Sequence, residues 1–255
     1  MSDDATPATG GFFTELQLAF SFLTILPVID SRPASADAVA ASFRWFPIVG
    51  FILGAALVGE DWLLAHVFAQ VIRSVLIVLS LTVITGAVHL DGLADTADAF
   101  GAGRDRERAL DILRDSRVGT FGASAIFFDL TLKILALSTL AGNRRVAALL
   151  IAPMLARCAM LFIVATGLPY LRSSGAGSTL LSGSAGKGGW PYRIVTFFTF
   201  IIAILVGGPI ALAVVAVVVF AMRAFYRRWL GGVTGDLIGA CGELVEIAVL
   251  VTMAS

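Results

Sequence analysis

The sequence predicts an all-α fold: a polytopic helical bundle in a membrane, with about seven spans and an N-terminal interfacial helix. Hydrophobic residues make up 58% of the 255-residue chain and charged residues 14%, against about 45–50% and about 25% in soluble domains. The mean hydropathy is +0.93. A soluble fold could not bury this much apolar surface, so we expect much of the chain to face lipid.

The chain begins with a short polar segment before its first apolar run. Residues 1–11 are small and acidic and lack the positive start of a secretory signal, which predicts a disordered cytoplasmic tail. Residues 12–29 are apolar but contain Glu15 and end in Leu26-Pro27, a pattern that favours an interfacial or half-inserted helix. We expect residues 12–255 to form a single transmembrane domain.

The spans follow from the apolar runs, because a spanning helix needs about 20 mostly apolar residues. The run from Ile194 to Met222 has no charge and is interrupted by Gly207-Gly208-Pro209. We therefore expect two short helices there, meeting at a tight turn. The remaining candidate spans are residues 45–59, 74–90, 118–140, 146–168 and 237–253.

The arginines indicate the orientation of the bundle. Residues 91–117 contain five of them, and residues 172–193 and 223–228 are also basic. With alternating spans these segments share one side, which the positive-inside rule identifies as cytoplasmic. We expect the N-terminus inside and the C-terminus outside.

The segment 91–117 is the main candidate for a functional site, since it holds twelve of the 36 charged residues. Asp91, Asp95 and Asp98 are spaced four and three apart, so on a helix they share one face. Glycines 101 and 103 can turn the chain after this row. A second pair with helical spacing follows the turn: Asp111 and Asp115.

A row of carboxylates at a membrane edge needs a positive partner. Oxygen ligands without cysteine favour magnesium, manganese or calcium over zinc. Carboxylates beside arginines therefore indicate a site for a metal-bound pyrophosphate, where cations would neutralise charge on a transferring phosphoryl group. The alternative for residues 104–117 is a solvated amphipathic helix with spaced ion pairs.

These residues also carry a resemblance to a known family. The stretch His89-Leu-Asp-Gly-Leu-Ala-Asp-Thr-Ala-Asp98, with Asp115-Ser-Arg-Val-Gly119, resembles the signature of the adenosylcobinamide-GDP ribazoletransferase (cobalamin synthase) family. Further similar segments extend over nearly the whole chain: Phe22-Leu-Thr-Ile-Leu-Pro27, Arg44-Trp-Phe-Pro-Ile-Val-Gly50 and Gly231-Gly-Val-Thr-Gly-Asp-Leu-Ile-Gly-Ala240.

The resemblance implies that residues 12–255 are the catalytic domain of a magnesium-dependent enzyme of the bacterial or archaeal cytoplasmic (inner) membrane, with its active site facing the cytoplasm. Such an enzyme joins adenosylcobinamide-GDP to α-ribazole or its 5′-phosphate and releases GMP. Manganese is an alternative metal, and lipid surrounds the bundle. The zero net charge gives no basic footprint for nucleic acid, and homo-oligomerisation stays open.

The resemblance, together with a looser likeness to CDP-alcohol phosphatidyltransferases, implies roles for individual residues. The expected metal ligands are Asp91, Asp95, Asp98 and Asp111, with Asp98 as a further or outer ligand. Asp115 is the expected catalytic base, beside Asp111. The expected substrate-binding residues are His89, Arg104, Arg114, Arg117, Asp236 and Glu243.

Several charged residues in apolar segments have a structural alternative. Asp236, Glu243 and Glu246 either complete the site or pair with Arg157 or the 223–228 arginines. Asp129 and Lys133, four apart in one span, suit a self-neutralising pair. The Gly- and Ser-rich stretch from Arg172 to Trp190 is expected to be a linker or lid, because it does not match a phosphate-binding loop.

Two other functions compete with this interpretation. One is a CDP-alcohol phosphotransferase that acts on a lipid, which would use a different nucleotide-linked donor. The other is an ion-coupled transporter with the buried acids as cation sites. A transporter predicts acids near mid-span, whereas the main acids here cluster beside arginines where a span ends.

Overall fold

The computed structural model describes residues 11–26, 35–103, 105–115, 117–172 and 190–255. The predicted tail up to residue 10, Arg104 and most of the predicted linker lie outside the described residues. In the described ranges the chain forms helices, with an isolated bridge between Tyr170 and Val233. The helices are α1 (Phe12–Leu23), α2 (Ala36–Ser42), α3 (Phe46–Leu64), α4 (Gln70–Ile84), α5 (Val88–Gly101), α6 (Arg106–Ile112), α7 (Thr120–Thr139), α8 (Gly142–Ala165), α9 (Trp190–Trp229) and α10 (Gly235–Ala254).

The predicted helical membrane bundle is confirmed, and the count of about seven spans stays a prediction. In the described ranges, five segments are long and apolar enough to cross a membrane, and α4 with α5 makes a sixth if that bent pair counts as one. Counting the two arms of α9 separately would restore the seventh. Those five segments are Asp37–Leu64, Thr120–Thr139, Gly142–Ala165, Val195–Trp229 and Gly235–Ala254.

Helix α8 lies at the centre of the bundle and packs closely against α3. A Cβ at Gly50 would lie 2.5 Å from the carbonyl oxygen of Pro153, and one at Gly54 would lie 2.6 Å from that of Leu149. Small residues one turn apart let two membrane helices approach backbone to backbone. This contact explains why the first span contains glycine at both positions.

The predicted break in the long apolar run is confirmed at Gly208, whose φ of 76° and ψ of 170° interrupt α9. Residues on both sides of the break, including Phe197 and Phe220, line one apolar cavity of about 640 Å³ against α8. A straight helix would separate these two residues by roughly 35 Å. The arms of α9 therefore fold back on each other, as the glycine and proline pattern predicts.

The span predicted over residues 74–90 is wrong at its C-terminal end. Helix α4 ends at Ile84, and the chain turns at Gly86 (φ 62°) and Ala87 (φ 55°). Helix α5 then runs at 89° to α4. Because no charged residue lies in this turn, the apolar pattern continues through it and hides the bend from the sequence.

Helix α1 is a short apolar helix that is pinned to this turn. The N–H of Ile25 donates to the carbonyl oxygen of Ile84 at 2.8 Å. At its other end, the buried carboxylate of Glu15 accepts hydrogen bonds from Arg44 and Trp45. Twelve residues are too few to span a bilayer, which fits the predicted interfacial or half-inserted helix.

Buried charges join three of the spans. Lys133 Nζ lies 3.0 Å from Asp129 Oδ2 and 3.2 Å from Glu246 Oε1, and it also donates to Glu243. Arg157 Nη1 donates to Glu246 Oε2 at 2.7 Å. All five side chains are buried. The predicted Asp129–Lys133 pair is confirmed, and it is part of a larger network linking α7, α8 and α10.

Candidate functional site

Helix α5 carries the predicted acid row and packs against the N-terminal parts of α7 and α10. Gly92 makes the second contact possible, because a Cβ there would lie 2.8 Å from the carbonyl oxygen of Asp236. Gly122 plays the same part on α7, where a Cβ would lie 3.0 Å from the carbonyl oxygen of Ala94. The start of α10 is thereby held against the acid-bearing end of α5.

This packing brings acids from two helices together. Asp95 is partly buried on α5, and the charges that act on it include those of Asp91, Asp98 and Asp236. Asp91 is exposed, one turn before Asp95. We call Asp91, Asp95 and Asp236 the acidic face. The helical spacing predicted for the row on α5 is confirmed, and α10 adds Asp236, a residue predicted to contact substrate.

The carboxylate of Asp98 lies in different surroundings from those of Asp91 and Asp95. Its carboxylate accepts the backbone N–H of Gly119 at 2.6 Å and that of Gly122 at 2.8 Å. It therefore caps the N-terminus of α7, where free N–H groups and the helix dipole favour an anion. Both carboxylate oxygens hold the helix in place, and the metal role expected for Asp98 stays a prediction.

Arg172, at the end of the loop after α8, is a residue of the site that the sequence analysis did not single out. Its guanidinium donates to Asp236 Oδ2 at 2.8 Å and to the carbonyl oxygen of Leu113. It also acts as the attractive charge on Asp95. No motif surrounds Arg172 in the sequence, so only its position in three dimensions reveals it.

The neighbouring loop also contributes Tyr170, whose backbone is tied to Val233 just before α10. Burial raises the pKa of Tyr170 above its ordinary value. The positive charge of Arg172 lowers the pKa of this phenol, and the negative charge of Asp236 raises it. The loop 166–172 thus forms one wall of the acidic face.

The second predicted acid row is not helical throughout. Helix α6 ends at Ile112, so Asp115 lies in the following turn and does not share a helix face with Asp111. Asp111 is exposed and lies 3.4 Å from Arg114. At the end of α6 the N–H groups of Arg114 and Asp115 donate to the carbonyl oxygens three residues earlier, which tightens the last turn, and Arg172 binds the carbonyl oxygen of Leu113. The metal and catalytic roles expected for Asp111 stay predictions.

Asp115 and Arg117 form a local ion pair at the surface. Arg117 donates to both carboxylate oxygens, with Nη2 at 2.6 Å from Oδ2 and Nε at 3.0 Å from Oδ1. These hydrogen bonds lower the pKa of the Asp115 carboxyl below its ordinary value. This loop is compatible with the spaced ion pairs of a solvated segment and also with a phosphate site.

Two residues expected to bind substrate lie inside the bundle. His89 is 5% exposed, and the charges near it are those of Arg157, Glu246 and Lys133. Glu243 is bonded to Lys133 in the buried network. The alternative of a structural ion pair therefore holds for Glu246, which pairs with Arg157 as expected. Glu243 also forms a structural ion pair, with Lys133 as its partner. The substrate contacts of His89 and Glu243 stay predictions.

The donor chemistry of the acidic face fits magnesium. Among the described residues, no three His, Cys, Asp or Glu side chains form a ready-made metal site. Magnesium, however, usually binds one or two carboxylates and completes its shell with substrate phosphates and water. Carboxylates from α5 and α10 that repel each other supply this kind of donor set.

Comparison with known proteins identifies the family. Residues 15–254 match the family model for cobalamin-5-phosphate synthase. A protein of Syntrophobacter fumaroxidans named adenosylcobinamide-GDP ribazoletransferase is 39% identical, over 91% of this chain and 94% of its own length. Proteins of the same name from Roseiflexus sp. and Pseudomonas syringae pv. syringae are each 37% identical, over 95% and 93% of this chain and 90% and 97% of their own lengths. No solved structure matches. The chain belongs to the cobalamin-5-phosphate synthase family.

Proposed function

We propose, with membership of the cobalamin-5-phosphate synthase family as the premise, that this chain is an adenosylcobinamide-GDP ribazoletransferase. It transfers the cobinamide phosphoryl moiety from adenosylcobinamide-GDP to the ribose hydroxyl of α-ribazole or of its 5′-phosphate, and GMP leaves. The observation that carries this proposal is the acidic face, where Asp91, Asp95 and Asp236 from two helices lie beside Arg172.

The reaction exchanges one phosphate ester bond for another. The 3′-hydroxyl oxygen of ribazole attacks the phosphorus on the cobinamide side of the pyrophosphate. The bond from that phosphorus to the bridging oxygen breaks, and the bridging oxygen leaves with GMP. The hydroxyl proton passes to a base. The protein must therefore hold a diphosphate, absorb charge on its leaving half and accept one proton.

Magnesium is the proposed cofactor, with manganese as an alternative, and Asp91, Asp95 and Asp236 are the side chains that would hold it. When bound, the ion supplies positive charge that stabilises the phosphates of the donor. The site supports this assignment because several carboxylates repel one another at the edge of the bundle. Asp98 supports it indirectly, by fixing α7 against α5.

Arginines around the acidic face are the proposed phosphate-binding groups. Arg114 and Arg117 lie on the exposed loop after α6, and Arg172 lies beside Asp236. A guanidinium binds two phosphate oxygens at once, which orients the pyrophosphate as well as neutralising it. In-line attack requires this orientation.

Asp115 is the proposed base, and its ion pair with Arg117 bears on this role. At rest, Arg117 holds the pKa of the Asp115 carboxyl below its ordinary value, which makes the carboxylate a weaker proton acceptor. If Arg117 turns to a substrate phosphate, the carboxylate loses these hydrogen bonds and its basicity rises. Substrate binding would thus activate the base.

The proposed location is the cytoplasmic membrane of a bacterium or archaeon, with the acidic face toward the cytoplasm. The helices that can cross a membrane support a membrane location. The arginines on the segments around the acidic face support the cytoplasmic side, since basic loops stay there.

A nucleotide-release assay tests the function. Purified protein in vesicles receives α-ribazole with adenosylcobinamide-GDP in one arm, and a lipid alcohol with a CDP-alcohol in the other, each with magnesium or with chelator. We expect GMP only in the first arm and only with the metal. Release of CMP in the second arm would support a CDP-alcohol phosphotransferase. Solute movement across vesicles without nucleotide release would support a transporter.

A further inference from the structure

The charges at the acidic face do not balance in the described part of the chain. Asp95 experiences the negative charges of Asp91, Asp98 and Asp236, while the positive charge acting on it is that of Arg172. Asp98 is compensated by backbone N–H groups of α7. Within the described residues, Asp236 pairs with Arg172, while Asp91 and Asp95 have no ion pair.

Arg172 is held there by two bonds from one nitrogen. Its Nη2 donates to Asp236 Oδ2 at 2.8 Å and to the carbonyl oxygen of Leu113. Its side chain is 34% exposed and that of Asp236 is 18% exposed. A partly exposed guanidinium with donors to spare can change partners without leaving a buried group unpaired.

We propose that Arg172 is the resident counter-cation of the acidic face and exchanges Asp236 for the substrate's phosphate when a divalent cation binds. Arg172 and the metal compete for the same carboxylate oxygens. Once the metal neutralises the acids, the guanidinium is free to bind a phosphate of the nucleotide donor. This inference rests on the proposed function and assigns Arg172 as the residue that couples metal loading to donor binding.

The competition predicts two effects of opposite sign. Removing the positive charge of Arg172 removes a competitor of the metal, so the acidic face should bind a divalent cation more tightly in the absence of substrate. The same change removes a phosphate-binding group, so the donor should bind more weakly. If Arg172 only supported the fold, its removal would weaken both metal binding and donor binding.

The experiment measures Mn²⁺ binding to the purified full-length protein by electron paramagnetic resonance, without substrate. We expect Arg172→Gln to tighten Mn²⁺ binding about twofold to fivefold, the range that a partly exposed ion pair contributes. Arg172→Lys keeps the charge, so its Mn²⁺ affinity should stay near that of the unchanged protein. In the presence of Mn²⁺, Arg172→Gln should raise the KM for the nucleotide donor about tenfold or more.

A matched control is Arg106→Gln. Arg106, the first residue of α6, also donates to a backbone carbonyl, from its Nε to Leu230 at 2.9 Å, but this bond does not involve a carboxylate. We expect Arg106→Gln to leave Mn²⁺ affinity unchanged. If both Gln variants shift Mn²⁺ binding equally, the effect is structural and the proposal fails.

The outcomes separate this inference from the proposed function. If the unchanged protein binds Mn²⁺ and releases GMP, but Arg172→Gln binds Mn²⁺ with unchanged or lower affinity, Arg172 is not the counter-cation and only this inference is overturned. If the unchanged protein releases no GMP from adenosylcobinamide-GDP, the proposed function fails first. Tighter Mn²⁺ binding together with a raised donor KM supports the inference.

Discussion

Gly92 and Asp236 touch backbone to backbone, and a Cβ at position 92 would lie 2.9 Å from the Cα of Asp236. This contact sets the distance between the acid row on α5 and the acid that begins α10. Glycine at position 92 is therefore part of the geometry of the acidic face, although it contributes no charge itself.

We predict that Gly92→Ala lowers kcat/KM of GMP release by about 100-fold, because pushing α10 away by a fraction of an ångström misplaces the reacting groups. The control is Gly59→Ala on α3, where a Cβ meets nothing within 4 Å. That variant should keep full activity and gain about 0.5–1 kcal/mol of stability. Equal activity in both variants would show that the α5–α10 distance is unimportant.

The cap on α7 yields a second prediction. Asp98→Ala leaves the N–H groups of Gly119 and Gly122 without their acceptor, so we expect a loss of about 1–2 kcal/mol in the free energy of unfolding. Asp98→Asn keeps one acceptor oxygen and should lose less. Unfolding in detergent followed by circular dichroism measures both. Identical stability of the two variants and the unchanged protein would exclude the capping role.

The buried charge network yields a third prediction. Lys133→Met removes the partner of Asp129 and Glu243 and leaves their carboxylates inside the bundle. We expect a loss of about 3–5 kcal/mol in the free energy of unfolding. Adding Glu243→Gln should restore part of it, because one uncompensated charge disappears. A loss below about 1 kcal/mol for Lys133→Met would show that the network is not what stabilises this region.

Much of the bundle could be predicted from sequence because lipid imposes a simple rule: apolar runs of sufficient length become helices. The break at Gly208 was predictable because Gly-Gly-Pro interrupts the apolar run. The turn at Gly86 and Ala87 was not predictable, because apolar residues continue through the bend. The N-terminus of α5 is fixed by contacts with α10, which no local pattern reveals.

The site was predictable where residues share one helix and not where they meet across helices. The spacing of Asp91 and Asp95 gave their common face. The contact of Arg172 with Asp236 joins residues that are 64 apart in the chain, and Asp98 acts on an α7 that begins 22 residues later. Asp115 lies three residues beyond the end of α6, because the chain tightens into i→i+3 bonds there and the distant Arg172 binds the carbonyl oxygen of Leu113.

The ion pair at Asp115 yields a prediction about pH. Arg117 lowers the pKa of the Asp115 carboxyl, so the carboxylate stays charged to a lower pH than usual, and the stabilising pair is lost only as the pH falls through that lowered pKa. If Asp115 is the base, Arg117→Gln should move the acid limb of the kcat/KM profile to higher pH. An acid limb that does not move would argue against Asp115 as the base.

The role of the acidic face in the reaction is measured by single-turnover GMP release from adenosylcobinamide-GDP in vesicles containing Asp91→Asn or Asp95→Asn, with magnesium and α-ribazole. The exposed Glu107 of α6 provides the matched control, Glu107→Gln. We predict that either aspartate variant accumulates as folded protein but releases GMP at least about 100-fold more slowly, while Glu107→Gln keeps its rate. Normal release by both aspartate variants would show that the acidic face is not the site of the reaction.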